Sequence, residues 1–193
     1  MSKEDIERLK LFNEKAERLL NSRFMQYILG KGRISFRIDA KRGEEVRTEK
    51  IVPDQEAIDA FVLTFRYFIQ NNERCSFGNL AETYEKPSVP EELRTEYLKA
   101  RKLLNDYLDA QASIKIGEEA LTRRRILDVF VYGGLAHTQP KKKEVFDAWT
   151  RDPFTTGFME VHFASILVDV LRVIRHVAGL NEKLVKELEK QPN

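Results

Sequence analysis

The chain has 193 residues, of which 42% are hydrophobic and 33% are charged. Disorder requires low hydrophobicity together with a large net charge, so this composition indicates a folded protein with one sizeable core. Because 33 basic and 31 acidic residues leave a formal net charge of +2, no global field attracts nucleic acid or an anionic membrane. An electrostatic partner therefore has to bind a local patch. We predict a single domain over residues 1–193.

Cysteine content and the distribution of apolar residues favour a cytoplasmic chain. Cys75 is the only cysteine, which rules out an intramolecular disulfide. The first residues are charged from position 3 onward and lack the apolar stretch of a signal peptide. The most apolar segment, 158–180, is interrupted by charged residues and histidines, so we interpret it as a buried helix and not as a membrane span. We expect no binding to membranes.

The first 52 residues combine two different periodicities. Apolar residues at three- and four-residue steps predict a helix over 3–29, within an N-terminal helical region of residues 1–30 that glycines terminate. Ile34, Phe36 and Ile38 then alternate with polar residues, which predicts a strand. Residues 45–52 can return antiparallel, giving a β-hairpin over 33–52. An isolated hairpin is marginal in water, so we expect it to pack on the helices or to join another chain's sheet.

Helices account for the remaining region, 54–190. The predicted segments are 54–71, a short helix capped by Ser76, 90–111, 118–132, 141–149, 154–178 and 181–190. We interpret 114–117 as a connector and Gly179 as a break. Helices joined by short loops generally pack as antiparallel neighbours. The predicted fold class is mainly α, a helical bundle with an appended N-terminal β-hairpin.

Familiar catalytic motifs are absent from the sequence. There is no P-loop, Rossmann glycine pattern, HExxH, CxxC or GxSxG motif. This argues against ordinary nucleotide triphosphatases, dinucleotide enzymes, zinc proteases and serine hydrolases, and we predict no cofactor. Cys75 lies near a predicted helix start, where a thiolate would be favoured, but free cysteine is commonly buried. We interpret Cys75 as a small apolar residue.

A polar stripe follows one face of the predicted helix 154–178. At alternating steps of three and four it contains His162, Ser165, Asp169, Arg172 and His176. Residues seven apart are separated by about 10.5 Å of helical rise, so the two histidines and Asp169 cannot ligate one metal ion together. We predict no metal. The stripe is interpreted as a solvent-facing or interface surface, and the alternative is a cleft wall on which Asp169 and Arg172 orient a partner group.

The turn between two predicted helices, Tyr132-Gly-Gly-Leu-Ala-His137, is the most specific feature. Two glycines after a helix permit left-handed backbone and close approach. Histidine is suited to proton transfer near neutral pH, so His137 and Tyr132 are the catalytic candidates. The alternative is a helix corner in which His137 hydrogen-bonds a backbone carbonyl.

Two basic runs, 123–125 and 141–143, flank this turn. Clustered cations are typical of nucleic-acid binding. Lys141, Lys142 and Lys143 follow His137 by only a few residues, so we select these three lysines as candidate phosphate ligands. A charge run is otherwise solvated surface, which is the alternative interpretation.

The Leu-Ala-His core of the turn, its position before the final helix and the helical surroundings resemble the HEPN superfamily, helical-bundle domains of prokaryotic defence and toxin systems. The family motif has an arginine, usually followed by a polar residue, with a histidine four to six positions after the arginine. Here Tyr132 stands five residues before His137, and Gly133 replaces the polar residue. In active members, the resemblance implies metal-independent RNA cleavage assisted by the histidine and the arginine.

The missing arginine decides how this resemblance is interpreted. Tyr132 can donate a hydrogen bond but has no positive charge, so it cannot stabilise phosphate charge directly. A cation from elsewhere in the chain would have to substitute in space. The arginines considered for this role are Arg66, Arg101 and Arg172.

Three functions are compatible with these features. The favoured hypothesis is a non-catalytic helical interaction module of a prokaryotic type associated with defence or toxin–antitoxin systems, binding a protein partner or itself as a homodimer. It accounts for the missing arginine. The alternative is an RNA-binding protein or metal-independent ribonuclease that uses His137, with the lysines at 141–143 holding phosphates. A small-molecule enzyme with a pocket lined by His162, Asp169 and tyrosines is the third.

Overall fold

A computed structural model describes residues 1–22, 24–25, 55–69, 76–116, 119–135, 140–151 and 153–189. This part of the chain contains seven delimited α-helices, a π-helical segment and one two-stranded sheet. They are α1 (Lys3–Leu20), α2 (Gln55–Ile69), α3 (Phe77–Tyr84), α4 (Glu91–Asp109), β1 (Gln111–Ile116), β2 (Glu119–Thr122), α5 (Arg123–Val129), the π-helical segment Phe130–Leu135, α6 (Pro140–Trp149) and α7 (Pro153–Glu189). The mainly α class is thus confirmed for the described residues.

The first helix is shorter than predicted. It begins at a capping box, in which the Ser2 hydroxyl accepts the N–H of Asp5 while the Asp5 carboxylate accepts the N–H of Ser2. It ends at Leu20, because Ser22 accepts the N–H of Met25 and starts a separate helical turn. The prediction of one helix over 3–29 is therefore wrong at its C-terminal end. The predicted hairpin at 33–52 lies outside the described residues, as do Cys75 and His137.

The sheet of the described region follows α4. Its strands pair antiparallel, with Lys115 opposite Ala120. The interpretation of 114–117 as a connector is wrong, and so is the prediction that a helix starts at 118. Isoleucines at 114 and 116 favour a strand, and Thr122 caps α5 by accepting the N–H of Arg125 at 3.2 Å. Helix formation is therefore delayed until Arg123.

Aromatic contacts join α1, α2, α3 and α4 within the core, to which α5, the π-helical segment and α7 also contribute buried residues. Phe12 of α1 meets Phe68 and Phe77 edge to face, with ring centroids 4.9 and 5.6 Å away. Tyr84 stacks on Tyr97 with centroids 4.1 Å apart. Such pairs add to the free energy of burial, and they fix four helices around one centre.

A buried polar network lies next to these rings. It contacts α7 on both sides of Gly179, and the helix continues through that glycine. The Tyr84 hydroxyl donates to the Asn181 side chain at 2.8 Å, and the Asn181 amide donates to Asn13 at 3.0 Å. Asn13 in turn donates to the carbonyl of Ala178 at 3.1 Å. Asn181 is fully buried and does not start a new helix, so the predicted break at Gly179 is wrong. Tertiary contacts on both sides of a helical glycine offset its cost of about 1 kcal/mol.

Helices α4 and α7 run antiparallel. Near the end of α4, the Tyr107 hydroxyl donates to Asp169 at 2.8 Å. Earlier on α4, Tyr97 stacks on Tyr84, whose hydroxyl reaches Asn181 further along α7. Residue numbers that increase along α4 therefore correspond to residue numbers that decrease along α7, as expected for antiparallel helices. Within the described ranges, no helix combines the length and apolar character needed to cross a bilayer.

Candidate functional site

The predicted turn starts inside a π-helical segment. Its residues 130–135 continue α5, and π-helical turns are rare and often occur at functional sites. Tyr132 is buried, with 6% of its surface exposed. The corner formed by this segment and the start of α6 is called the Tyr132 corner below. Residues 136–139 lie between the two, outside the described part.

The surroundings of Gly133 explain why the Tyr132 corner needs a glycine at this position. A Cβ at this position would lie 2.4 Å from the carbonyl oxygen of Lys142. Backbone of α6 therefore packs directly on the π-helical segment, and no larger residue fits without moving that backbone. The close approach expected from the glycine pair is present at Gly133.

Two cations cover the ring of Tyr132. Lys142 Nζ lies 4.7 Å from the ring centroid, and Arg66 Cζ from α2 lies 5.8 Å from it. Both distances are within the range of cation–π attraction. Of the three arginines considered as substitutes, Arg66 is the one placed at the tyrosine, whereas Arg101 is on α4 and Arg172 on α7.

The candidate phosphate ligands have different surroundings. Lys142 donates to Asp128 at 2.6 Å, and Lys143 donates to Asp147, one turn further along α6, also at 2.6 Å. Lys141 is exposed. The acidic partners were missed from sequence, although Lys143 and Asp147 have the four-residue spacing of a helical ion pair. Two of the three lysines thus stabilise the fold around the corner.

The polar stripe is divided between the helix interface and the surface. Asp169 accepts hydrogen bonds from Tyr107 at 2.8 Å and from Arg172 at 2.9 Å. Burial, together with the bond to Asp169 and its charge, raises the pKa of Tyr107 to about 12. Arg172 and His176 are exposed, while His162 is half-buried. Within the described part of the chain, no three His, Cys, Asp or Glu side chains are grouped to hold a metal ion.

A shallow groove lies between α4 and α7, beside this stripe. It has a volume of about 390 Å³ and is called the α4–α7 groove below. Its lining consists of Glu96, Lys99, Ala100, Leu103, Arg172, Val173 and His176. Leu103 is 57% exposed, whereas its neighbour Leu104 is 4% exposed. Because these two leucines are adjacent, apolar periodicity alone does not decide which of them faces inward, and the groove was missed for that reason.

The two candidate sites differ in chemistry. At the Tyr132 corner, cations lie over a buried ring, and Lys142 is also paired with Asp128. The α4–α7 groove presents an exposed apolar side chain between charged rims. Comparison with protein-family models gives no match, and neither a curated protein nor a solved structure matches the chain.

Proposed function

We propose that the chain is a non-catalytic helical interaction module that binds a partner helix in the α4–α7 groove. The observation that carries the proposal is the exposure of Leu103, which leaves a large apolar side chain in water between two antiparallel helices. Amphipathic helices bind in grooves of this type by inserting their apolar face. Full burial of one leucine stabilises a complex by about 1.5 to 3 kcal/mol.

The rims of the groove suit specific recognition of a protein. Glu96 and Lys99 line the α4 side, and Arg172 and His176 line the α7 side. Within the described residues, neither Glu96 nor Lys99 makes an ion pair. A rim of both signs favours a partner with complementary charges and disfavours a uniformly anionic polymer. Lys142 and Lys143 are held by carboxylates, which also favours a protein partner over nucleic acid.

Affinity capture from cells of the source organism tests the proposal. Tagged wild type is compared with Leu103→Lys and with the control Leu63→Lys, because Leu63 on α2 is 58% exposed and thus matches Leu103. We expect a protein, or an untagged copy of the chain, that wild type and Leu63→Lys retain and Leu103→Lys loses. Identical capture by all three would overturn the proposal.

RNA binding is a second candidate, and the position of Arg66 favours it. This chain has Tyr132 where the HEPN motif has an arginine, and Arg66 Cζ lies 5.8 Å from the centroid of the Tyr132 ring. A guanidinium there can pair with phosphate oxygens in bidentate fashion. In this candidate, Arg66 and Lys141 hold phosphate, and His137 is the residue predicted to assist cleavage. Membership in that superfamily stays a prediction.

Salt-dependent binding of a single-stranded RNA oligonucleotide separates this candidate from the first. Each phosphate contact contributes about 0.7 to the slope of log affinity against log salt concentration. Arg66→Gln should reduce the slope by about that amount, whereas Arg124→Gln, which removes an arginine paired with Asp109, should leave it unchanged. His137→Ala tests cleavage. Absence of binding at low salt would eliminate the candidate.

A further inference from the structure

One face of α4 borders the groove with an acidic, a basic and an apolar side chain in a fixed order. Glu96, Lys99 and Leu103 all line the groove, and their spacing of three and then four residues keeps them on one side of the helix. Along the axis, Lys99 lies about 6 Å from Leu103, and Glu96 lies about 10.5 Å from it. The groove therefore has an apolar end at Leu103 and an acidic end at Glu96.

Helix α7 completes the apolar end of the groove. On α4, Leu103 precedes Tyr107 by four residues, and on α7, Val173 follows Asp169 by four residues. Tyr107 donates a hydrogen bond to Asp169 across the two antiparallel helices. Leu103 and Val173, each about one turn away from this bond, therefore lie at about the same height. An apolar side chain of a partner meets an apolar side chain on each wall at this height.

The two charged residues on this face of α4 have no counter-ion. Glu96 is half-buried and Lys99 is exposed, and neither makes an ion pair within the part of the chain that the structure describes. By contrast, Lys102 pairs with Asp106 on α4, and Arg172 across the groove pairs with Asp169. A carboxylate that is partly removed from water is destabilised unless a cation or a hydrogen-bond donor compensates it. Glu96 and Lys99 are therefore the charges that a partner can compensate.

We infer that the partner of this groove is a helix with the complementary order of side chains: an apolar residue, a carboxylate four residues from it, and a cation three residues further. A helix packed along α4 rises by the same 1.5 Å or so per residue, so these spacings bring each group to the height of its counterpart. The apolar residue is inserted between Leu103 and Val173. The carboxylate pairs with Lys99, and the cation pairs with Glu96. This inference rests on the proposed function, because it defines the partner of the same groove by its chemistry.

The order of the charges allows the groove to discriminate among amphipathic helices. A helix with the two charges exchanged meets a like charge at both positions, and such repulsion suppresses wrong partners. The order also fixes the register. Shifting the partner by one turn towards Glu96 places its carboxylate beside that of Glu96, so a single register satisfies all three contacts.

Charge reversal in the full chain tests the inference on the partner that the capture experiment isolates. Lys99→Glu and Glu96→Lys are compared with wild type and with the controls Lys3→Glu and Glu7→Lys, because that exposed pair on α1 does not line the groove. Each groove variant should raise the dissociation constant of the purified partner by at least about threefold, and both controls should leave it unchanged. Circular dichroism checks that every variant keeps its helical content.

Salt dependence separates an ionic contact from a loss of structure. The effect of Lys99→Glu should shrink as sodium chloride is raised from about 0.05 M to about 1 M, because the Debye length falls to about 3 Å and Lys99 is exposed. A variant with a damaged fold would bind weakly at every salt concentration. A loss of binding that is independent of salt would contradict the pairing of Lys99.

A compensating change on the partner completes the test. Hydrogen exchange locates the partner segment that is protected in the complex, and this segment should be helical with the stated spacing. Reversing its acidic residue to lysine should restore binding to Lys99→Glu, as in a double-mutant cycle. A protected segment without this pattern, or groove variants that bind like the controls, would overturn the inference. Leu103-dependent capture would then leave the proposed function intact, and capture that ignores Leu103 would remove both.

Discussion

The Tyr132 corner and helix α7, which forms one wall of the α4–α7 groove, each contain a glycine, and these two glycines have different surroundings. At Gly133, the carbonyl of Lys142 occupies the place of a side chain, so the corner is closed by its own backbone. At Gly179, nothing occupies that place. The first glycine is required by a contact within the chain, whereas the described fold leaves room for a side chain at the second. A sequence motif alone does not distinguish these two cases.

The strongest way to break the comparison is to add a methyl group at both glycines. Gly133→Ala should destabilise the fold by about 2 to 4 kcal/mol, because the added Cβ displaces backbone and no flexible side chain can yield. Gly179→Ala should stabilise the fold by up to about 1 kcal/mol. Urea unfolding of both variants measures the difference. Equal effects at the two positions would contradict the distinction.

The next effect concerns the network that holds α7 as one groove wall. Asn181→Leu removes a buried amide, so the Tyr84 hydroxyl loses its acceptor and the Asn13 Oδ1 loses its donor. We expect a loss of about 2 to 3 kcal/mol in the free energy of unfolding. Tyr84→Phe removes a single partner and should cost about 1 to 2 kcal/mol. An unchanged unfolding midpoint for Asn181→Leu would show that the network does not stabilise α7.

A third effect depends on pH and concerns the start of α1. Burial raises the pKa of Asp5, but hydrogen bonds from Lys86 and Ser2 outweigh it and bring the pKa from 3.8 to about 2. The carboxylate is thus stabilised by folding, so its contribution is present above pH 4 and is lost as the pH falls towards 2. We expect about 1 to 2 kcal/mol, less than the full shift because Lys86 is partly exposed to solvent.

Urea midpoints measured between pH 5 and pH 2 check this contribution. The control Asp5→Asn should be less stable than wild type at pH 5 and should lose less stability over the same range. Parallel pH profiles for the two proteins would contradict the assignment to Asp5.

The smallest effects compare two neighbouring lysines of the Tyr132 corner. Lys142→Met removes a half-buried ion pair and a cation over the Tyr132 ring, and should cost about 1 kcal/mol. Lys143→Met removes an exposed ion pair with Asp147, one helical turn away on α6, and should cost about 0.3 to 0.5 kcal/mol. Thermal unfolding of both variants resolves the difference at low salt. A larger effect at Lys143 would mean that the corner is open to solvent.

Local sequence signals predicted most helix positions in the described region. Ser76 caps its helix as expected, by accepting the N–H of Asn79, and α4 and α6 lie within a residue or two of their predicted bounds. Caps and apolar periodicity depend on residues that are close in sequence, so they can be predicted without knowledge of tertiary contacts. The same local logic made Gly179 a helix break.

The errors arose where distant contacts override local preference. Asn181 was expected to start a helix, yet it is held inside one by Tyr84, which is 97 positions away in the chain. Arg66 on α2 lies over the ring of Tyr132, and no local sequence pattern predicts this contact. The tandem Leu103–Leu104 has one inward and one outward member, and the choice depends on where α7 packs. Both candidate sites were therefore only partly predictable from the sequence.

The central claim is that the α4–α7 groove is covered by a partner in the cell, and side-chain footprinting tests it without any mutation. Leu103 and Leu63 are 57% and 58% exposed, so hydroxyl radicals should oxidise both leucines similarly in the dilute, purified chain. In intact cells, we predict that oxidation of Leu103 falls severalfold while that of Leu63 is unchanged. Equal oxidation of the two leucines in both settings would contradict the account.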